Sequence, residues 1–419
     1  MVFASLTFLY IFLPANLLLY YLFPHKEYRN ALLILFSFIF YAWGEPIWIS
    51  LLFISATVDY FHGRLVERWR GTSKAKWPLI SSIVINLGLL VAFKYSDFIY
   101  ENVNALLGTD FEGPGFTLPI GISFYTFQTI SYVVDVYRGE VKAQKSYLRF
   151  AMFVSLYHQL VAGPIVRYQH IAHEIDNRVL RLHDISAGIV RFCIGLFKKV
   201  AIANVAGELT AQYLDVPDLG GLTVSEAWFG VLMFSIQIYF DFSGYSDMAI
   251  GLGRMFGFHY HENFIYPYIA RSATDFWRRW HISLGTFFRD YVYIPLGGKY
   301  KHQYLNLFIV WGLTGLWHGA SWNFIFWGLY YGILIMLERL FLKKIFDRLP
   351  NIVSHLYLLF FAVLGWALFY FEDMNRLTDA LQVMFGLTDA PFHLPEFTLV
   401  LEENMYWMVL AVLLCLPLY

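Results

Sequence analysis

"TGLWHGASWNFIFWG", residues 314–328, is almost entirely apolar and aromatic, and it carries one histidine, His318. Gly312, Gly315 and Gly319 recur at spacings of three and four, the small-residue pattern that lets membrane helices approach closely. The stretch therefore reads as a helix packed inside a bundle. At helical spacing Trp311, Thr314, Gly315 and Trp322 share the face of His318. An imidazole in that setting is costly unless it has a partner or a job. Position alone leaves two readings open: a structural histidine bonded to a neighbouring helix, or a functional group that exchanges a proton near neutral pH.

The rest of the chain supports a membrane setting. Its 419 residues are 58% hydrophobic, 20% aromatic and 15% charged, against roughly 25% charged in an average soluble domain. Apolar segments lie near 3–23, 31–43, 46–61, 78–95, 117–137, 147–166, 185–207, 224–250, 304–317, 321–342, 353–371 and 405–418. Runs of about 20 such residues cross a roughly 30 Å hydrocarbon core, and in lipid they must be helical to pair their own backbone. The expected fold is an all-α integral membrane protein with one polytopic domain over 1–419. The segments at 31–43 and 46–61 are short and broken by "WGEP", which predicts a tight hairpin of short or tilted helices.

Charge sets the expected orientation. Arg64, Arg68, Arg70, Lys74 and Lys76 place the 62–77 loop in the cytoplasm, and the acidic 96–116 stretch falls outside. The 138–149 loop, with Arg138, Lys142, Lys145 and Arg149, returns inside, so the N-terminus is expected outside. The opening run lacks a basic start and a small-residue cleavage site, and reads as a retained span. The closing "AVLLCLPLY" ends in an apolar run, where either the last helix stops at the interface or a short polar tail is missing. A net charge of −1 offers no bulk basic surface for nucleic acid. Cys193 and Cys415 make neither a metal spacing nor a disulfide framework.

Residues 251–303 break the pattern of spans. They mix aromatics with Arg254, Arg271, Arg278, Arg279 and Arg289, which predicts interfacial or re-entrant helices covered by protein or lining a cavity. In "DFWRRWHISLGTFF" helical spacing puts His281 on one face with Trp277, Leu284 and Phe288, while Asp275 and Arg279 are placed to pair on another. Lys198, Lys199, Arg278, Arg279 and Arg289 are either interface anchors or a site for a phosphorylated donor such as coenzyme A. In "YFDFSGYSDMAIG" the acids Asp241 and Asp247 need partners, expected among the arginines of the following segment. "HYHE" (259–262) and "HIAHE" (170–174) look like metal ligands, but neither follows the H-E-x-x-H order. No metal is expected. No G-x-S-x-G elbow or P-loop occurs, which disfavours a serine hydrolase or an ATPase.

Six stretches in order share a further likeness. "LPIGISFYTFQTISYVVDVYRG" (118–139), "QLVAGPIVR" (159–167), "DFSGYSDMAIG" (241–251), "NFIYPY" (263–268), "DFWRRWHISLGTFFRDYVYIPLGG" (275–298) and "GLWHGASWNFIFWG" (315–328) together resemble the membrane-bound O-acyltransferase family. Its bacterial branch devoted to alginate O-acetylation is the most similar. The resemblance covers nearly the whole chain and fades after about residue 370. It implies a multi-helix ring around a thinned centre with a tunnel, His318 at the position of the family's nearly invariant histidine, and His281 at its second, more variable polar position. It also implies a cytoplasmic acetyl-CoA donor and an extracytoplasmic glycan acceptor, often reached through a separate SGNH-type acetyltransferase partner. The implied location is the bacterial cytoplasmic membrane.

On that footing His318 is expected to act as general base on an acceptor hydroxyl, with His281 donating to the oxyanion or positioning the donor. Two other classes fit the buried histidines. A proton-coupled transporter would also bury ionisable groups beside broken helices, although no internal repeat supports it. A docking scaffold would need no histidine chemistry.

Overall fold

The computed structural model describes residues 1–161 and 163–418, so Ala162 of the 159–167 motif and the terminal Tyr419 lie outside the described residues. Helices make up the architecture, and no strand occurs among the described residues. Among the described residues four helices are long and apolar enough to cross a membrane: Ser73–Leu107, Trp322–Phe346, Asn351–Tyr370 and Pro395–Leu414.

The backbone forms two compact units. The first comprises 1–196 and 245–261; the second comprises 197–244 and 262–419. In the first unit, α1 (Lys26–Gly44) and α2 (Ile49–Arg68) are 19 and 20 residues long. They exceed the short hairpin that their apolar cores predict, because both helices continue into polar flanks such as Lys26, Glu27 and Arg68. α3 (Lys76–Leu90) likewise runs on through a wider turn into a helix ending at Leu107, so part of the expected 96–116 loop is helical. α4 (Ile122–Arg138) packs against α2 and α3. Asp59 of α2 is fully buried there and accepts hydrogen bonds from Ser82 Oγ at 2.5 Å and Asn86 Nδ2 at 2.7 Å. Both donors belong to α3, and such pairing is what makes a buried carboxylate tolerable.

Three helices matter on the path to the second unit. α5 (Leu182–Phe197) is followed after a wide turn by Asn204–Leu214, and α6 (Val224–Met255) is a single helix of 32 residues. The acids expected to pair with the following segment bond backwards instead. Asp247 meets Arg191 of α5 at 2.6 Å, and Asp241 meets Lys199 at 2.6 Å. Both cations precede α6 in the chain and meet its acids only in three dimensions.

The second unit is built on an aromatic core. α7 (Ala273–Arg279) and α8 (Ile282–Phe288) are seven residues each, only about 10 Å long and far too short to span. They lie against α9 (Gln303–His318), α10 (Trp322–Leu337) and α11 (Asn351–Tyr370). Phe276, Trp280, Trp327, Tyr331 and Trp366 are almost wholly buried together. Phe276 stacks on Trp280 at 5.5 Å and Trp280 meets Trp366 at 4.7 Å. Such ring pairs add about 0.5–1.5 kcal/mol each beyond area burial. α12 (Pro395–Leu414) donates Trp407 Nε1 to the Ala201 carbonyl.

Candidate active site

His318 is the last residue of α9, and α10 begins four residues later. The quoted stretch is thus a helical hairpin with the histidine at its turn, not one continuous helix. This moves Trp322 off the face of His318: it starts the return helix and is exposed. The glycines act as their spacing predicts, with the partner being the very next helix. A side chain on Gly315 would strike the Phe324 carbonyl, and one on Gly328 would strike the Trp311 carbonyl and the Gly315 backbone. Gly312 has only Leu329 within reach, at 3.9 Å, so it contributes little to the close approach.

The His318 imidazole is half-buried and ringed by aromatic edges. Trp327 lies 4.9 Å away and Phe369 5.3 Å away, both edge-on. Trp317 contacts His318 at 4.9 Å and His281 at 6.0 Å, so one indole touches both histidines. The two candidates are therefore brought to the same aromatic cluster.

His281 sits between α7 and α8, where helical spacing had placed it mid-helix. It is 4% exposed and adopts the left-handed conformation at φ 46°, a backbone state that costs a non-glycine residue about 1–3 kcal/mol and concentrates at functional sites. Asn263 holds the break. Its carbonyl accepts from Ile282 N at 3.0 Å, and its Oδ1 accepts from Ser283 N at 3.0 Å. The face shared with Trp277 and Phe288 is lost by this break, although burial among aromatics remains. Burial pushes the imidazole down to about 4, so it is neutral at physiological pH.

The candidate cations divide. Arg278 and Arg289 line a cavity of about 1180 Å³ together with Arg271, Lys299, Arg339 and Lys343. Asp275, Glu338 and Asp347 are the acids in its wall. Glu338 is occupied: it caps α7 by accepting from Ala273 N and from Thr274 N and Oγ1. Arg279 turns elsewhere and pairs with Asp275 at 3.1 Å, as their spacing predicts. Lys199 is engaged with Asp241, and neither it nor Lys198 lines the cavity. Lys299, Arg339 and Lys343 are not signalled by the sequence, because Lys299 follows the aromatic insertion while Arg339 and Lys343 lie at the far end of the helix Trp322–Phe346. Gln303 also lines the cavity, which therefore opens at the start of α9 while His318 stands at its end. Gln303 and His318 are the two ends of this 16-residue helix, about 22 Å apart along its axis.

The histidine-rich motifs come together outside this region, in the first unit. His259 Nδ1 lies 2.7 Å from Glu174, and the rings of His170 and His261 meet edge-on at 4.5 Å. Among the described residues no group of three or more His, Cys, Asp or Glu is placed to hold a metal ion.

The sequence profile of the membrane-bound O-acyltransferase family matches residues 140–375, a stretch that includes both histidines and the cationic cavity. This chain belongs to the membrane-bound O-acyltransferase family. It is accordingly an acyltransferase and a membrane protein. A Pseudomonas putida protein described as "Probable alginate O-acetylase AlgI" is 41% identical over 398 residues, covering 93% of this chain and 81% of that protein. The "Peptidoglycan O-acetyltransferase" of Helicobacter pylori is 34% identical over 442 residues, covering 95% and 83%. A Bacillus subtilis "Teichoic acid D-alanyltransferase" is 27% identical over 248 residues, covering 55% and 62%.

Proposed function

We propose that this protein is an O-acetyltransferase of the bacterial cytoplasmic membrane. It takes acetyl from acetyl-CoA on the cytoplasmic side and passes it to a hydroxyl of an extracytoplasmic polysaccharide, directly or through an SGNH-type partner. The observation that carries this reading is the division of labour along α9: a cationic cavity at its first turn and His318 at its last. Clustered arginines and lysines suit phosphates, and they mark the cytoplasmic side by the positive-inside rule. The pantetheine arm then reaches along the hairpin toward the histidines. His318 takes the proton of the acceptor hydroxyl, whose oxygen attacks the thioester carbonyl carbon. The C–S bond breaks, and the proton passes to the thiolate to give free CoA. An imidazolium at His318 stands at the carbonyl end of α9 and gains about 0.3–1 kcal/mol from the helix dipole. The aromatic walls keep bulk water from the thioester.

Arg278→Ala combined with Arg289→Ala should raise KM for acetyl-CoA about tenfold or more, since each charge-assisted bond to phosphate carries roughly 1.5–3 kcal/mol. kcat should stay within a few-fold of the parent. Arg279→Ala, at a residue that pairs with Asp275 and does not itself line the cavity, is the reference and should leave KM unchanged. Steady-state CoA release by purified protein reads both constants. An equal KM rise in all variants, or none in the double variant, sinks the cavity as donor site.

A further inference from the structure

Among the neighbours of His281 is a hydroxyl whose chemistry decides how the ring is protonated. Ser283 Oγ lies 3.4 Å from His281 Nδ1 and 2.9 Å from Asn263 Oδ1. The orientation of the Asn263 amide is fixed independently: Ser283 N, which can only donate, lies 3.0 Å from the same Oδ1. That atom is therefore oxygen and an acceptor, and the Ser283 hydroxyl spends its one proton on it. Towards Nδ1 the hydroxyl has only lone pairs left. Asn263 is itself 2% exposed and also takes the Ile282 N–H on its main-chain oxygen, so it cannot swing away without unpairing three donors. The rings of Phe264 at 6.2 Å and Trp317 at 6.0 Å also lie against the imidazole, and the residue's own main-chain carbonyl is a further acceptor for a ring N–H.

We infer that Asn263 and Ser283 are positioning residues that fix His281 as its Nδ1–H tautomer, with Nε2 the unprotonated nitrogen. The tautomer of a neutral histidine is set by the bond its other nitrogen makes. His281 then meets the reactants as an acceptor for an N–H or O–H of bound donor or acceptor, and it does not donate to the oxyanion. Its strained backbone is explained by the same device, because the left-handed turn at φ 46° brings Ser283 back beside its ring.

This inference rests on the acetyl-transfer reading for its consequence but not for its geometry, and two measurements separate them. In purified protein carrying nitrogen-labelled histidine, the His281 signal, assigned by its loss in His281→Asn, should report Nδ1–H. Ser283→Ala should turn it into a mixture of tautomers. An Nε2–H signal in the parent protein overturns the inference whatever the activity. In the kinetic arm, Ser283→Ala should lower kcat for acetyl-CoA about tenfold, the factor that one lost hydrogen bond supplies. Ser283→Thr should restore most of it. In a His281→Asn background Ser283→Ala should cost nothing further; an undiminished tenfold loss there overturns the role. If the parent protein turns over no acetyl-CoA, the transfer reading falls, while the histidine signal still decides the tautomer.

Discussion

His318→Ala should reduce O-acetylation of the cell's polysaccharide by at least about two orders of magnitude, because general-base assistance contributes roughly 10²–10⁴ in rate. The protein should still insert and purify. His318 is half-buried at a hairpin turn and packs by ring edges that an alanine does not clash with. The cost is therefore kinetic. Loss should appear in kcat with little change in KM for the donor, whose phosphates are assigned to the other end of α9. Measured at matched membrane abundance, near-parent acetylation in the variant would remove His318 from the chemistry. It would leave the docking-scaffold reading in its place.

The second large effect concerns the glycines that hold that turn. Gly328→Ala places a methyl on the Trp311 carbonyl and against the Gly315 backbone, and Gly315→Ala places one on the Phe324 carbonyl. Neither obstacle is a side chain that can rotate away, so the two helices must separate. Overpacking of this kind costs about 1–3 kcal/mol or more, and here it also shifts His318. Both variants should show a clear fall in melting temperature in detergent. Gly312→Ala is the internal control, since its new methyl meets only Leu329 at 3.9 Å and should be tolerated. A Gly312→Ala variant as damaged as Gly328→Ala would mean that helix propensity, not close approach, sets the cost.

How far these features were legible follows from the range of the interactions that create them. Helical spacing identified the small-residue seam at Gly315 and the pairing of Asp275 with Arg279, because both depend on residues three or four apart. Spacing failed at His281 and Trp322. His281 lies at a break that no proline or glycine signals, since Asn263, some twenty residues upstream, imposes it through its hydrogen bonds; Trp322 opens the return helix beyond Gly319, a glycine whose spacing also fits a packing seam. The partners of Asp241 and Asp247 are likewise set by packing, because Arg191 of α5 and Lys199 of the turn after it meet α6 only in three dimensions. The cationic cavity was half-visible. Arg278 and Arg289 stood out within one aromatic insertion, while Lys299, Arg339 and Lys343 join them only in three dimensions. Conversely, Lys198 and Lys199 looked like donor ligands by composition, but Lys199 answers the charge of Asp241.

The most direct test of the account is sidedness. The protein would be reconstituted into vesicles with acetyl-CoA, labelled on the acetyl group, confined to the side of the cationic cavity, and a soluble glycan acceptor on the other, with the SGNH-type partner added where the glycan alone is not modified. The expected result is labelled acetyl on the far-side glycan in step with free CoA accumulating on the donor side, both abolished by His318→Ala. Labelled acetyl-CoA itself appearing on the far side, or acetyl reaching the glycan equally well with His318→Ala, would contradict it.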